Sequence, residues 1–127
     1  MARPASTQPT DVELQILRIL WRDGPSIARH VHDSLSATKE TSYSTTVKML
    51  SVMLEKGLLK RDDDVRPQVY RPAMPQQKTQ KRILFDVIDK VYEGSVHSLM
   101  MHVLSTKKAT PAELDEIRRL IDELEQR

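Results

Sequence analysis

The sequence predicts a mainly α-helical chain with one small β-hairpin, followed by a C-terminal helical region. Three observations predict it. Apolar residues recur at helical spacing in six stretches. Two short β-prone runs flank a polar turn after the third stretch. Gly and Pro punctuate the joins between stretches.

Residues 1–9 carry two Pro among small polar residues and read as a loose leader. Thr10 has the chemistry of an N-cap, and Glu13 three residues on completes a capping box. From Val12 to Trp21, positions 12, 16, 19 and 20 form one apolar stripe, and 14, 17 and 21 a second. A helix this apolar has to be covered on most sides. Lone Trp21 near its end is expected in the core, and Gly24-Pro25 ends it. A shorter helix is expected from about Ile27 to Leu35, burying Ile27 or Ala28, Val31 and Leu35. Ser36 to Thr41 is a loop. Ser42 caps a third helix that runs to about Lys56 and turns Thr46, Met49, Leu50, Met53 and Leu54 inward, with Gly57 closing it. Next come Leu58-Leu59-Lys60-Arg61, a polar turn from Asp62 to Pro67, and Gln68-Val69-Tyr70-Arg71-Pro72. This reads as a hairpin whose second strand is kept short and edge-like by Pro67 and Pro72. Tyr70 is expected to pack it onto the third helix. Three helices and a trailing β-ribbon over residues 10–74 make a winged helix-turn-helix.

Residues 75–127 predict three more helices. The first runs from Gln76 to about Glu93, with Ile83, Leu84, Val87, Ile88 and Val91 in a stripe and Gly94 as its stop. Ser95 caps the second, where Val96, Leu99, Met100, Val103 and Leu104 align. Thr110-Pro111-Ala112-Glu113 opens the third with a cap, a Pro at the first position and a capping box. It carries Leu114, Ile117, Leu120, Ile121 and Leu124, of which 114, 117, 121 and 124 keep heptad spacing. About fifty residues can hardly bury three such stripes. A homodimer would cover them; a bundle packed on the winged helix is the alternative.

Composition excludes several classes. Lys and Arg number 20 against 18 Asp and Glu, so the net charge is only +2 despite a pI near 9.0. Residues 1–74 hold 11 basic and 9 acidic residues, and residues 75–127 hold 9 of each, so the excess lies in the first part. Any nucleic-acid surface is therefore local rather than a polycationic coat. The chain has no Cys, which excludes disulfides and thiol chemistry. It has 3 Gly and 4% aromatic residues, poor material for a phosphate cradle or a base-stacking platform. His30 and His32, and likewise His97 and His102, diverge on their helices with no suitably spaced carboxylate, so no metal site is expected. A nucleophile–base pair and paired carboxylates are missing too, so no enzyme and no cofactor are expected. No apolar run approaches a membrane span and no signal peptide is evident, so a cytoplasmic protein without membrane insertion is expected.

The third helix carries the expected chemistry. Its first turns show Tyr43, Ser44, Thr45, Val47 and Lys48 outward, without an acid. Hydroxyls can contact bases or phosphates, Lys48 can reach guanine or phosphate, and Val47 can meet a thymine methyl. Ser42 places a helix N-terminus where a phosphate can sit. Lys60, Arg61, Arg66 and Arg71 can straddle a duplex backbone. The acidic Asp62-Asp63-Asp64 should repel it, so the hairpin tip is expected to stay clear, with Arg66 and Arg71 turned inward.

Several strings together resemble a known family: Ile19-Leu20-Trp21 with Gly24-Pro25, Val31-His32-Asp33-Ser34-Leu35, Tyr43-Ser44-Thr45-Thr46-Val47 with Leu50, Glu55-Lys56-Gly57-Leu58-Leu59-Lys60-Arg61, Arg66, and Val69-Tyr70-Arg71-Pro72. They resemble the penicillinase and methicillin-resistance repressors, a family that also holds copper-responsive members. The likeness runs from about Thr10 to the C-terminus. It implies a homodimeric repressor on a palindromic double-stranded operator, read by the winged helix and dimerised by the C-terminal helices. It implies a membrane sensor protease as a partner, cutting between an Asn and a Phe in the penultimate helix. The matching pair here is His102-Val103, a departure from that pattern. Lack of Cys separates this chain from the copper-sensing branch. Two other functions fit the residues: a winged helix that binds protein, and a regulator with a small-molecule pocket.

Overall fold

The computed structural model describes residues 8–106 and 108–127, so the expected leader lies outside the described residues apart from Gln8 and Pro9. The chain is mostly helical with a small three-stranded antiparallel sheet, the winged helix-turn-helix class. Helix α1 spans Asp11–Asp23, strand β1 Ser26–Ile27, helix α2 Ala28–Ser36 and helix α3 Tyr43–Glu55. Strands β2 (Leu59–Asp62) and β3 (Val69–Pro72) follow, then helices α4 (Gln76–Val91), α5 (Val96–Ser105) and α6 (Pro111–Glu125). Two compact units result, one ending at Ile83 and one running Leu84–Arg127, so the division falls inside α4.

In the first unit, α1 starts at the expected capping box. Thr10 N–H donates to the Glu13 carboxylate at 2.9 Å, and the Thr10 hydroxyl accepts from Glu13 N–H at 3.2 Å. The core joins Ile16, Leu17, Ile19 and Leu20 of α1 to Val31 and Leu35 of α2, Leu50 and Met53 of α3, and Leu58, Leu59 and Tyr70. Trp21, expected in the core, is half-buried and packs against this cluster, and its indole N–H donates to the Met74 carbonyl at 3.1 Å. Helix α3 ends in a Schellman motif. Gly57 N–H donates to Leu54 O and Leu58 N–H to Met53 O, with Gly57 at φ +78°, where a side chain would be strained.

Two details correct the sequence reading. Ile27, expected to open the second helix, belongs with Ser26 to β1 instead: Ser26 pairs with Tyr70 and Ile27 with Val69. Consequently β3 is not an edge strand but the middle of the order β1-β3-β2. The prolines do not prevent this. Pro67 lies before the strand, and Pro72 stands opposite Leu59, beyond the residues that pair with β1.

The second unit holds the end of α4 with α5 and α6. Ser95 caps α5, accepting from Ser98 N–H at 3.0 Å. Thr110 and Glu113 form a second capping box at the start of α6. Among the described residues of α5 and α6, none is buried.

Candidate nucleic-acid interface

The N-terminal turns of α3 present the expected polar face. Ser42, Tyr43, Ser44, Thr45 and Lys48 are exposed and Val47 is half-buried, while Thr46, Leu50 and Met53 are fully covered. No acid occurs before Glu55. The Ser42 hydroxyl is committed to the cap: it accepts from Thr45 N–H at 3.2 Å and donates to the Thr45 hydroxyl at 2.8 Å. Lys48 makes no hydrogen bond or ion pair among the described residues.

Beneath this face lies a polar contact between α2 and α3. The His32 Nδ1 stands 2.9 Å from the buried Thr46 hydroxyl, and Ser36 Oγ stands 3.2 Å from His32 Nε2. Thr46 donates to the Ser42 carbonyl at 3.3 Å. One assignment satisfies all three: Nδ1–H donates to Thr46, and Nε2 accepts from Ser36. The His32 ring then meets Tyr43 edge-on, with centroids 5.5 Å apart. On Tyr43 rests the guanidinium of Arg29, 4.7 Å from the ring centroid. Sequence reasoning missed Arg29. It lies outside the apolar positions read for α2, and its meeting with Tyr43 is a tertiary event.

The hairpin divides its cations. Lys60 and Arg71 are directly opposed partners on β2 and β3, both exposed and without a polar partner among the described residues. Arg71 therefore does not turn inward as expected, because strand alternation sets it opposite in sense to buried Tyr70. Like charges in direct cross-strand register disfavour the sheet unless an anion bridges them. Arg61 is spent within the hairpin, 2.5 Å from Asp63, whose carboxylate raises the Arg61 pKa further. Arg66 folds onto the turn and donates to the carbonyls of Asp63 and Val65. Asp63 also accepts from Gln68, and Asp62 from Asp64 N–H. Of the three acids in the turn, Asp63 is thus paired with a cation and Asp62 is hydrogen-bonded within the turn.

A carboxylate does stand beside His30: Asp23 lies 2.8 Å from its Nε2. Arg22, then His30, hold the Asp23 carboxyl far below its ordinary range. Among the described residues, no three His, Cys, Asp or Glu side chains are grouped to hold a metal.

In the second unit the stripe residues are only partly covered. Ile88 is buried, Val87, Leu99, Leu114 and Ile117 are half-buried, and Leu84, Val91, Met100, Val103, Ile121 and Leu124 are exposed. Ile83, half-buried, closes the first unit. Phe85, Met101 and Leu120, off the main stripe, are each 58% exposed. His102 and Val103 sit in α5; both are exposed, and the Tyr92 hydroxyl lies 2.9 Å from His102 Nδ1.

The penicillinase repressor family model matches residues 9–123. The chain belongs to the penicillinase repressor family. Among its relatives is the penicillinase repressor of Bacillus licheniformis, 23% identical over 91% of each chain. The transcriptional regulator BlaI of Mycobacterium tuberculosis is 28% identical over 94% of this chain and 86% of its own. The methicillin resistance regulatory protein MecI of Staphylococcus aureus is 20% identical over 89% and 92%. Members of the penicillinase repressor family are transcriptional regulators, not enzymes. No helix among the described residues is long and apolar enough to cross a membrane.

Proposed function

We propose that this penicillinase repressor family member is a DNA-binding transcriptional repressor that acts as a homodimer on a palindromic operator. One observation carries the reading. The acid-free face of α3 with Lys48 lies on the same domain as the directly opposed cations Lys60 and Arg71, and none of the three has a carboxylate partner among the described residues. Ser44, Thr45, Val47 and Lys48 face the major groove, and Ser42 places the helix N-terminus near a phosphate. Lys60 and Arg71 bridge a backbone phosphate, which relieves their mutual repulsion. Arg61 and Arg66 hold the hairpin turn in shape. Residues 10–74 read and residues 75–127 dimerise. The dimer buries the exposed apolar groups of α4 to α6 and sets two reading helices for half-sites about 34–36 Å apart.

A gel shift with the duplex upstream of the protein's own gene tests this. Wild type shifts it with steep salt dependence, and Lys48→Glu abolishes the shift while sedimentation stays dimeric. A wild-type chain that shifts neither this duplex nor random DNA contradicts the proposal, and leaves a protein partner as the ligand of the winged helix.

We extend the proposal to control at the exposed His102–Val103 pair in α5, which stands where the resemblance places the family's cleavage bond while departing from its Asn-Phe pattern. Cutting there by a membrane sensor protease removes α6 from the dimer surface and releases DNA. A fragment beginning at Val103, seen by mass spectrometry during induction, supports cleavage. Derepression with an intact chain contradicts it and points to a small-molecule signal.

A further inference from the structure

We propose that Arg29, on the helix before the reading helix, is a phosphate clamp held in place by Tyr43. The proposal rests on the DNA-binding reading above. Arg29 is the second residue of α2, and its guanidinium lies over the Tyr43 ring at 4.7 Å. Asp33 stands four residues further along the same helix, the spacing at which an Arg and an Asp can pair. No ion pair forms between them among the described residues; the guanidinium goes to the ring instead. The ring in turn is fixed edge-on by His32, and His32 by buried Thr46. A chain of contacts from the core thus holds a flexible side chain in one place, with no hydrogen bond from its donor fork among the described residues.

The place is informative. Arg29 and Tyr43 line a cleft of about 240 Å³ with Ile27, Val47, Pro67 and Gln68. Its walls come from β1 and the start of α2, the first turns of α3, and the end of the hairpin turn where it enters β3. These are the parts of a winged helix that flank a duplex backbone when α3 lies in the groove. The walls are more apolar than polar, compatible with a deoxyribose, and Arg29 supplies the positive charge for the phosphate attached to it. A planar fork of N–H donors fits two phosphate oxygens at once, which Lys cannot do. Tyr43 serves here as a positioning residue, keeping the fork oriented before DNA arrives, so that less freedom is lost on binding.

The test is titration of wild type, Arg29→Ala and Arg29→Lys against two duplexes, the protein's own upstream region and a random sequence, over a salt series. Arg29→Ala is expected to weaken both about tenfold and to lower the salt slope by about one. Arg29→Lys is expected to restore the slope but not the full affinity. Wild-type affinity and slope in Arg29→Ala would overturn the clamp alone. A loss confined to the upstream duplex, with the slope unchanged, would also overturn it, because Arg29 would then read a base. Wild type binding neither duplex would overturn the DNA-binding reading itself.

Discussion

Glu13 shows how one side chain ties local to tertiary structure. It closes the capping box of α1 and also receives Lys56 Nζ at 2.6 Å, from the residue that caps α3. Burial pushes its carboxyl up, but hydrogen bonds from Lys56 and Thr10 outweigh that and hold it below the ordinary value of 4.5. Folding lowers this pKa, so the unfolded chain binds more protons in the window between the two values. The stabilisation is therefore complete above the ordinary carboxyl range and lost as pH falls through the folded value. Glu13→Gln keeps an acceptor for the cap but removes the charge. It should cost about 2 kcal/mol at pH 7, and less at acid pH, in urea unfolding. Thr46→Val should cost about 1 kcal/mol by the same measurement, because it strips His32 Nδ1 of its partner. The capping role of Glu13 was legible, since its partner is three residues away. Lys56, 43 residues on, was not, because nothing local marks the pair.

At the scale of elements, the helices were legible because each combines an apolar period with a chemical stop or start. Thr10, Ser42, Ser95 and Thr110 all cap helices as read. Gly57 closes α3 through its positive φ, and an added Cβ there would meet nothing within 4 Å. Gly57→Ala should therefore cost about 1 kcal/mol through backbone strain alone, seen as a lower urea midpoint with an unchanged m-value. The sheet was less legible. Two residues, Ser26 and Ile27, are too few to show a period, so Ser26 was passed over and Ile27 was read into the next helix. Once β1 is missed, β3 looks like an edge. The prolines strengthened that reading although both lie outside the β1-paired stretch. Arg71 was a separate misreading: Tyr70 was expected to pack inward, and strand alternation then already sets its neighbour Arg71 outward.

For the whole molecule, the central matter is how two small units make one regulator. The stripes of α4 to α6 were read from spacing, and their incomplete coverage agrees with the proposed second copy. The exposure of Phe85, Met101 and Leu120 was not legible, since residues beside a stripe pass for its border. Replacing Ile121 and Leu124, 46% and 57% exposed, by Glu should yield a monomer by sedimentation velocity. It should also weaken operator binding about a hundredfold or more, as the two half-site contacts are no longer linked. The winged helix should stay folded, with its circular dichroism retained. The most direct measurement is hydroxyl-radical footprinting on the duplex upstream of the gene. Two protected patches about one helical turn apart, both lost together when salt is raised from about 50 to 200 mM, are the expected result. A single patch, or no protection at low salt, would contradict a dimeric operator-reading repressor.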